Sequence, residues 1–210
     1  MRPVVVVITG PVGAGKSTSM PALAELLAQR GESVAAIDLD SLRTLWPENP
    51  DDPFHARLGL TNLSAIWPHF AERGARWLLL TDVVEHPDQR SVYEDAIPGA
   101  LIVILRLNVP LDRVHERLRR RESGESLAWH LHRSGELHRM MTERGVGDII
   151  VAVDDQDPLQ VATLMLEEIQ RYQEKLTATK VIGRTARDPL PGGLVSESES
   201  TPAPPPASRH

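Results

Sequence analysis

Short, unbroken apolar runs alternate along this chain with longer stretches in which apolar residues recur every three or four positions. Val4 to Ile8 is a β-branched run closed by Thr9 and Gly10, and a run without polar interruption reads as a strand covered on both faces, as in a parallel sheet. Ser33 to Ile37, Trp77 to Thr81, Leu101 to Leu105 and Ile149 to Val153 repeat the pattern. Met20, Leu23 and Leu27 mark a helix from Lys16 to Arg30, with Gly31 as its C-cap and Pro21 awkward inside its first turns. Leu60 to Arg73 predicts another helix, which Pro68 threatens to break. Pro110 opens a charged helix running to about Arg121, and Pro158 opens a last one reaching about Lys175. Between these two, Gly124 interrupts and Glu125 to Arg144 forms a polar stretch rich in His and Arg, read as a helical or irregular lid. Strands alternating with helices at these lengths predict right-handed βαβ units. The expected class is α/β: a doubly wound, five-stranded parallel sheet with a small helical lid.

Composition narrows the setting. At 210 residues with 41% hydrophobic content, one well-buried domain is expected, over about residues 1–176 with the lid at about 117–144. Past Lys180 the chain turns to Pro, Ser, Gly and Glu, so 177–210 is expected to be a disordered tail. A formal net charge of −6 argues against a broad nucleic-acid footprint. No cysteine is present, which excludes disulfides and thiolate–metal clusters. The N-terminus lacks the pattern of a signal peptide and no stretch is long enough to span a bilayer, so a cytoplasmic protein without a membrane partner, monomer or homodimer, is the expectation.

The strongest chemical signal is Gly10-Pro11-Val12-Gly13-Ala14-Gly15-Lys16-Ser17, which fits G-x-x-x-x-G-K-[ST] in full and lies between a predicted strand and a predicted helix. Glycines let the backbone curl so that successive N–H groups point inward, and the helix N-terminus adds partial positive charge where phosphates would lie. Lys16 is then expected to reach the β- and γ-phosphates of ATP, Ser17 to take a coordination position on Mg2+, and Thr18 to add a secondary phosphate contact.

Asp38-Leu39-Asp40-Ser41-Leu42-Arg43 follows the second strand, and ligands of doubly wound sheets gather at the carboxyl ends of strands. Phosphoryl transfer to an alcohol needs a carboxylate to accept the hydroxyl proton and orient the oxygen. Asp40 is the first candidate for that base and Asp38 the second, against a reading of Asp40 as a helix cap; Arg43 is a candidate to hold an anionic or polar part of the acceptor. Trp77 to Asp82 has the Walker-B form, an apolar strand ending in an acid, which makes Asp82 a candidate to hold magnesium through water. His130, His132 and His138 are not spaced for a zinc site, and Trp129 reads as core or lid packing, with base stacking the alternative.

The strand, the phosphate loop, the helix, the second strand and the D-x-D-x-x-R motif together resemble the small-molecule kinase branch of P-loop proteins, which includes adenylylsulfate kinases and chloramphenicol phosphotransferase. The resemblance implies that Asp40, or its neighbour Asp38, is the base. Val114-x-x-Arg117-x-x-x-Arg121 is similar to the lid entry of these kinases, which makes Arg117 and Arg121 candidates to contact the transferring phosphoryl, with Arg133 a further contact to phosphate or acceptor. By the same likeness the loop carrying Asp155 and Gln156 would receive the adenine. Residues 81–85 depart from the stretch expected for adenylylsulfate binding, so that acceptor does not carry over. The function expected is an ATP- and Mg2+-dependent phosphotransferase acting on a small-molecule hydroxyl. The alternatives are a nucleotide-responsive switch that hydrolyses ATP, and a nucleoside or nucleotide kinase.

Overall fold

The computed structural model describes residues 2–47 and 49–185, and the chain divides into a unit at Met1–Glu174 and a second from Lys175 onward. Five strands, β1 (Val4–Thr9), β2 (Val34–Asp38), β3 (Trp77–Thr81), β4 (Leu101–Asn108) and β5 (Ile149–Ala152), form one sheet in the order β2-β3-β1-β4-β5. Every pairing is parallel, with Val6 opposite Leu79 on one side and Val103 on the other. Central β1 is the strand whose sequence has no polar interruption, and Val5 to Ile8 are wholly buried.

Side chains alternate across the sheet and feed two cores. Val6, Ile8, Leu79 and Leu105 pack with Met20, Leu23 and Leu27 of α1 (Lys16–Gln29), Val114 and Leu118 of α5 (Leu111–Arg121), and Val161, Met165 and Ile169 of α7 (Pro158–Thr185). On the opposite face Val5, Val7, Leu80 and Ile104 pack with Leu63 and Trp67 of α3 (Ala56–Ala71), Tyr93 of α4 (Arg90–Ala96), and Leu137 and Met141 of α6 (Gly124–Glu143). A one-turn helix, α2 (Leu39–Leu42), follows β2 directly.

Several boundaries differ from the sequence expectation. α3 runs through Pro68 to Ala71, because a proline this close to a helix end removes one ladder bond while buried Leu63 and Trp67 hold the helix down. Residues 124–143 are one continuous helix rather than an irregular segment. α4 was not expected at all. α7 runs on to Thr185, past Lys175, since no proline or glycine interrupts the chain before Gly183. The remainder of the expected tail, 186–210, lies outside the described residues. Among the described residues no helix is long and apolar enough to cross a membrane.

Candidate active site

The loop between β1 and α1 is shaped by glycines. Gly13 and Gly15 have φ of 85° and 95°, the left-handed region that side chains resist. The turn closes where Ala14 N–H donates to Pro11 O at 3.1 Å and Ser19 N–H to Gly15 O at 2.9 Å. Lys16 Nζ donates back to Gly10 O at 2.8 Å and Pro11 O at 3.2 Å, so the ammonium is folded over the loop's own carbonyls. Burial lowers the Lys16 pKa to about 8, and the fields of Asp40, Asp82 and Asp38 work against that drop.

Those three carboxylates come from the C-terminal ends of β2 and β3, as the sheet topology requires. Asp38 Oδ2 accepts from Ser17 Oγ at 2.7 Å while its Oδ1 caps α2 by accepting from Asp40 N–H at 3.2 Å. The carboxylate bonded to Ser17 is therefore Asp38, and the cap is Asp38 rather than Asp40. A serine hydroxyl beside a carboxylate is a pair of hard oxygen donors, which fits magnesium. Asp40 projects into the open with its side chain 74% exposed and ion-pairs with Arg43.

Asp82 is different in kind. It is 9% exposed, and both oxygens are engaged: Oδ1 accepts from Val83 N–H at 2.8 Å and lies 3.3 Å from Arg43, and Oδ2 accepts from the Tyr93 hydroxyl at 2.6 Å. Burial pushes the Asp82 carboxyl above its ordinary value, with Tyr93 and Arg43 pulling it back, and burial raises Tyr93 well above the usual phenol. Asp82 thus stands behind Arg43, and Arg43 in turn braces Asp40.

One cleft of about 1030 Å³ brings most of the expected residues together. It is lined by Val12 to Ser19, by Asp40 and Arg43, by Arg117 and Arg121 of α5, and by Arg133 of α6. Arg117 donates to Ala14 O at 3.3 Å and Asp154 O at 3.0 Å, tying α5 to the phosphate loop and to the loop after β5. Arg121 pairs with Glu122 at 2.6 Å, and Arg133 pairs with Glu85 and, at 3.4 Å, with Glu136. Gln156 lines the cleft beside Pro158 and Val161, whereas Asp155 does not: its carboxylate is held by Arg113 at 2.7 Å. Trp129 was expected to pack in core or lid, but it lines the cleft and is 50% exposed.

Sequence reasoning missed Phe54, Glu85, His86 and Gln89, all of which line the cleft. Gln89 Oε1 accepts from Glu85 N–H at 2.6 Å and His86 N–H at 2.9 Å, and so shapes the turn leading into α4. The run from His86 through Pro87 to Gln89 carried that signal, a polar residue followed by a proline and, three positions on, a glutamine.

Comparison with known proteins bears on the fold. The Zeta toxin family matches residues 1–72, the stretch from β1 through α3. A gluconokinase from Sinorhizobium meliloti superposes with a TM-score of 0.58 at 23% identity, over 85% of this chain and 99% of that one. The tunicamycin resistance protein of Deinococcus radiodurans gives 0.53 at 20% identity, over 80% and 96%. The APS kinase of Mycobacterium tuberculosis, solved in complex with AMPPNP and APS, gives 0.52 at 22% identity, over 80% and 98%. No curated protein sequence matches the chain. The chain has the α/β fold of the P-loop kinases.

Proposed function

We propose that this protein is an ATP- and magnesium-dependent phosphotransferase that moves the γ-phosphoryl group to a hydroxyl of a small molecule. The observation that carries the reading is the exposed carboxylate of Asp40, braced by Arg43 and close enough to Lys16 to act on its charge, at the mouth of a complete phosphate loop. A loop of this kind binds phosphates; a solvent-exposed carboxylate held beside it is what an alcohol acceptor requires.

The residues divide the work as follows. Loop amides and Lys16 hold the β- and γ-phosphates, for which Lys16 leaves the carbonyls of Gly10 and Pro11. Ser17, with Asp38 behind it, would hold magnesium, which would supply positive charge against the phosphate oxygens. Gln156, Pro158 and Val161 line the end assigned to the base. Asp40 orients the acceptor hydroxyl and takes its proton. The acceptor oxygen bonds to the γ-phosphorus as the bond from that phosphorus to the β,γ-bridging oxygen breaks, and ADP leaves. Arg117 and Arg121 supply positive charge from the lid side. Asp82 we assign to bracing Arg43 rather than to water or metal, which speaks against the switch reading.

Asp40→Asn tests the assignment. Transfer to an acceptor, followed by mass spectrometry of the product, is expected to fall by at least about 100-fold, while calorimetric Mg·ATP affinity stays within about threefold. Parental transfer by that variant would remove Asp40 from the mechanism.

A further inference from the structure

Two aromatic rings line the cleft without being part of any core. Phe54 is 64% exposed and Trp129 is 50% exposed. Phe54 occupies a left-handed backbone conformation, φ 57° and ψ 16°, and His55 follows at φ 49°. Such a conformation is strained for a bulky residue, and glycine would relieve it. The flanks enforce it: His55 is buried with Nε2 bonded to Leu45 O at 3.0 Å, and buried Asp52 accepts from Arg57 N–H at 2.9 Å and Leu58 N–H at 3.2 Å. The chain therefore holds a strained turn whose product is a phenyl ring on the cleft rim. Trp129, from the lid helix, is set edge-to-face against His130 with ring centroids 4.9 Å apart.

Three arginines of the same cleft are already matched by carboxylates. Arg43 is paired with Asp40 and Asp82, Arg133 with Glu85 and Glu136, and Arg121 with Glu122. Arg117 rests on carbonyls beside the phosphate loop, where the nucleotide belongs. An anionic acceptor would have to take a guanidinium from one of these carboxylates and leave that carboxylate unpaired, a net loss in a partly desolvated site.

We propose that the acceptor subsite takes an uncharged alcohol carried on a ring, with its apolar face against Phe54 and Trp129 and its hydroxyl toward Asp40. This rests on the phosphotransferase reading above. An open-chain polyol offers the rings no flat face, and among the described residues a sugar acid meets cations that are either paired with carboxylates, as Arg43, Arg121 and Arg133 are, or assigned to the nucleotide, as Lys16 and Arg117 are.

The full-length protein with Mg·ATP is offered uridine and phenyl β-D-glucoside as uncharged ring alcohols, sorbitol as an uncharged open chain, and gluconate and shikimate as anions, with products read by mass spectrometry. Transfer is expected to at least one ring alcohol and to exceed that to the other three. For that substrate, Phe54→Gly is expected to raise the acceptor KM about tenfold, with kcat and the KM for ATP within about threefold and the melting temperature not lowered. Trp129→Ala, on a separate element, is expected to give the same split. Preferred transfer to sorbitol, gluconate or shikimate, no transfer to either ring alcohol, or an unchanged acceptor KM in both variants overturns the inference and leaves the phosphotransferase standing. Absence of Mg·ATP binding together with absence of transfer to every compound overturns the phosphotransferase itself.

Discussion

Replacing Tyr93 with phenylalanine removes one oxygen from the molecule and nothing else. Tyr93 is 1% exposed, and its hydroxyl is the donor to Asp82 Oδ2 at 2.6 Å. Losing a donor to a buried carboxylate leaves an acceptor unsatisfied at a cost of about 2 kcal/mol, near the middle of the range for such groups. For a chain of this size that corresponds to a melting temperature lowered by about 4–8 °C. The loss also depends on pH in a way a packing defect would not. The Asp82 carboxyl in the fold already lies above its ordinary value, so the folded state holds that proton more tightly, and stability declines as pH rises through the raised value. Without the phenol the carboxyl moves higher still. The destabilisation in Tyr93→Phe should therefore be small below the raised Asp82 value, where the carboxyl is protonated in both proteins, and reach its full size above it. Urea melts of both proteins across that range read it directly. A difference below about 0.5 kcal/mol at neutral pH, or one that is flat with pH, would mean that this hydrogen bond does not hold the carboxylate as described.

Two further outcomes follow from the phosphate loop. Because the Lys16 pKa is lowered to about 8 in the free protein, and a bound triphosphate favours the ammonium, Mg·ATP affinity should fall as pH rises through about 8, with proton uptake visible by calorimetry in buffers of different ionisation heat; Lys16→Ala should lose the affinity and the uptake together. Gly13→Ala would place a Cβ 3.1 Å from Leu118 at φ +85°, whereas Gly31→Ala meets nothing within 4 Å at φ +80°. Both should cost about 1–2 kcal/mol in thermal or urea melts, but only the Gly13 variant should also lose Mg·ATP binding.

Much of the fold could be read from the sequence because the central strands of the sheet are buried on both faces. Such strands must be apolar throughout, and Val4 to Ile8 and Trp77 to Thr81 announce themselves without help from neighbours. The phosphate loop was equally plain, since its glycines answer local backbone needs. What stayed hidden depends on contacts distant in sequence. Asp38 meets Ser17 across 21 positions and Arg113 meets Asp155 across 42, and no local pattern records either pair. α4 has seven residues and shows too little periodicity to be seen, although its Tyr93 anchors Asp82. Phe54 drew no attention, because a left-handed turn at a phenylalanine has no sequence signature.

The arginines that α5 and α6 bring to the cleft are not alike. Arg121 and Arg133 rest on acids, while Arg117 is bonded, among the described residues, to the carbonyl oxygens of Ala14 and Asp154. Carbonyl dipoles position a guanidinium without cancelling it. On a molecule whose formal charge of −6 repels nucleotides at a distance, Arg117 is a local attractor at the doorway. Added salt should therefore weaken both the global repulsion and the local pull on an arriving triphosphate, leaving its capture less sensitive to ionic strength than either charge alone would suggest.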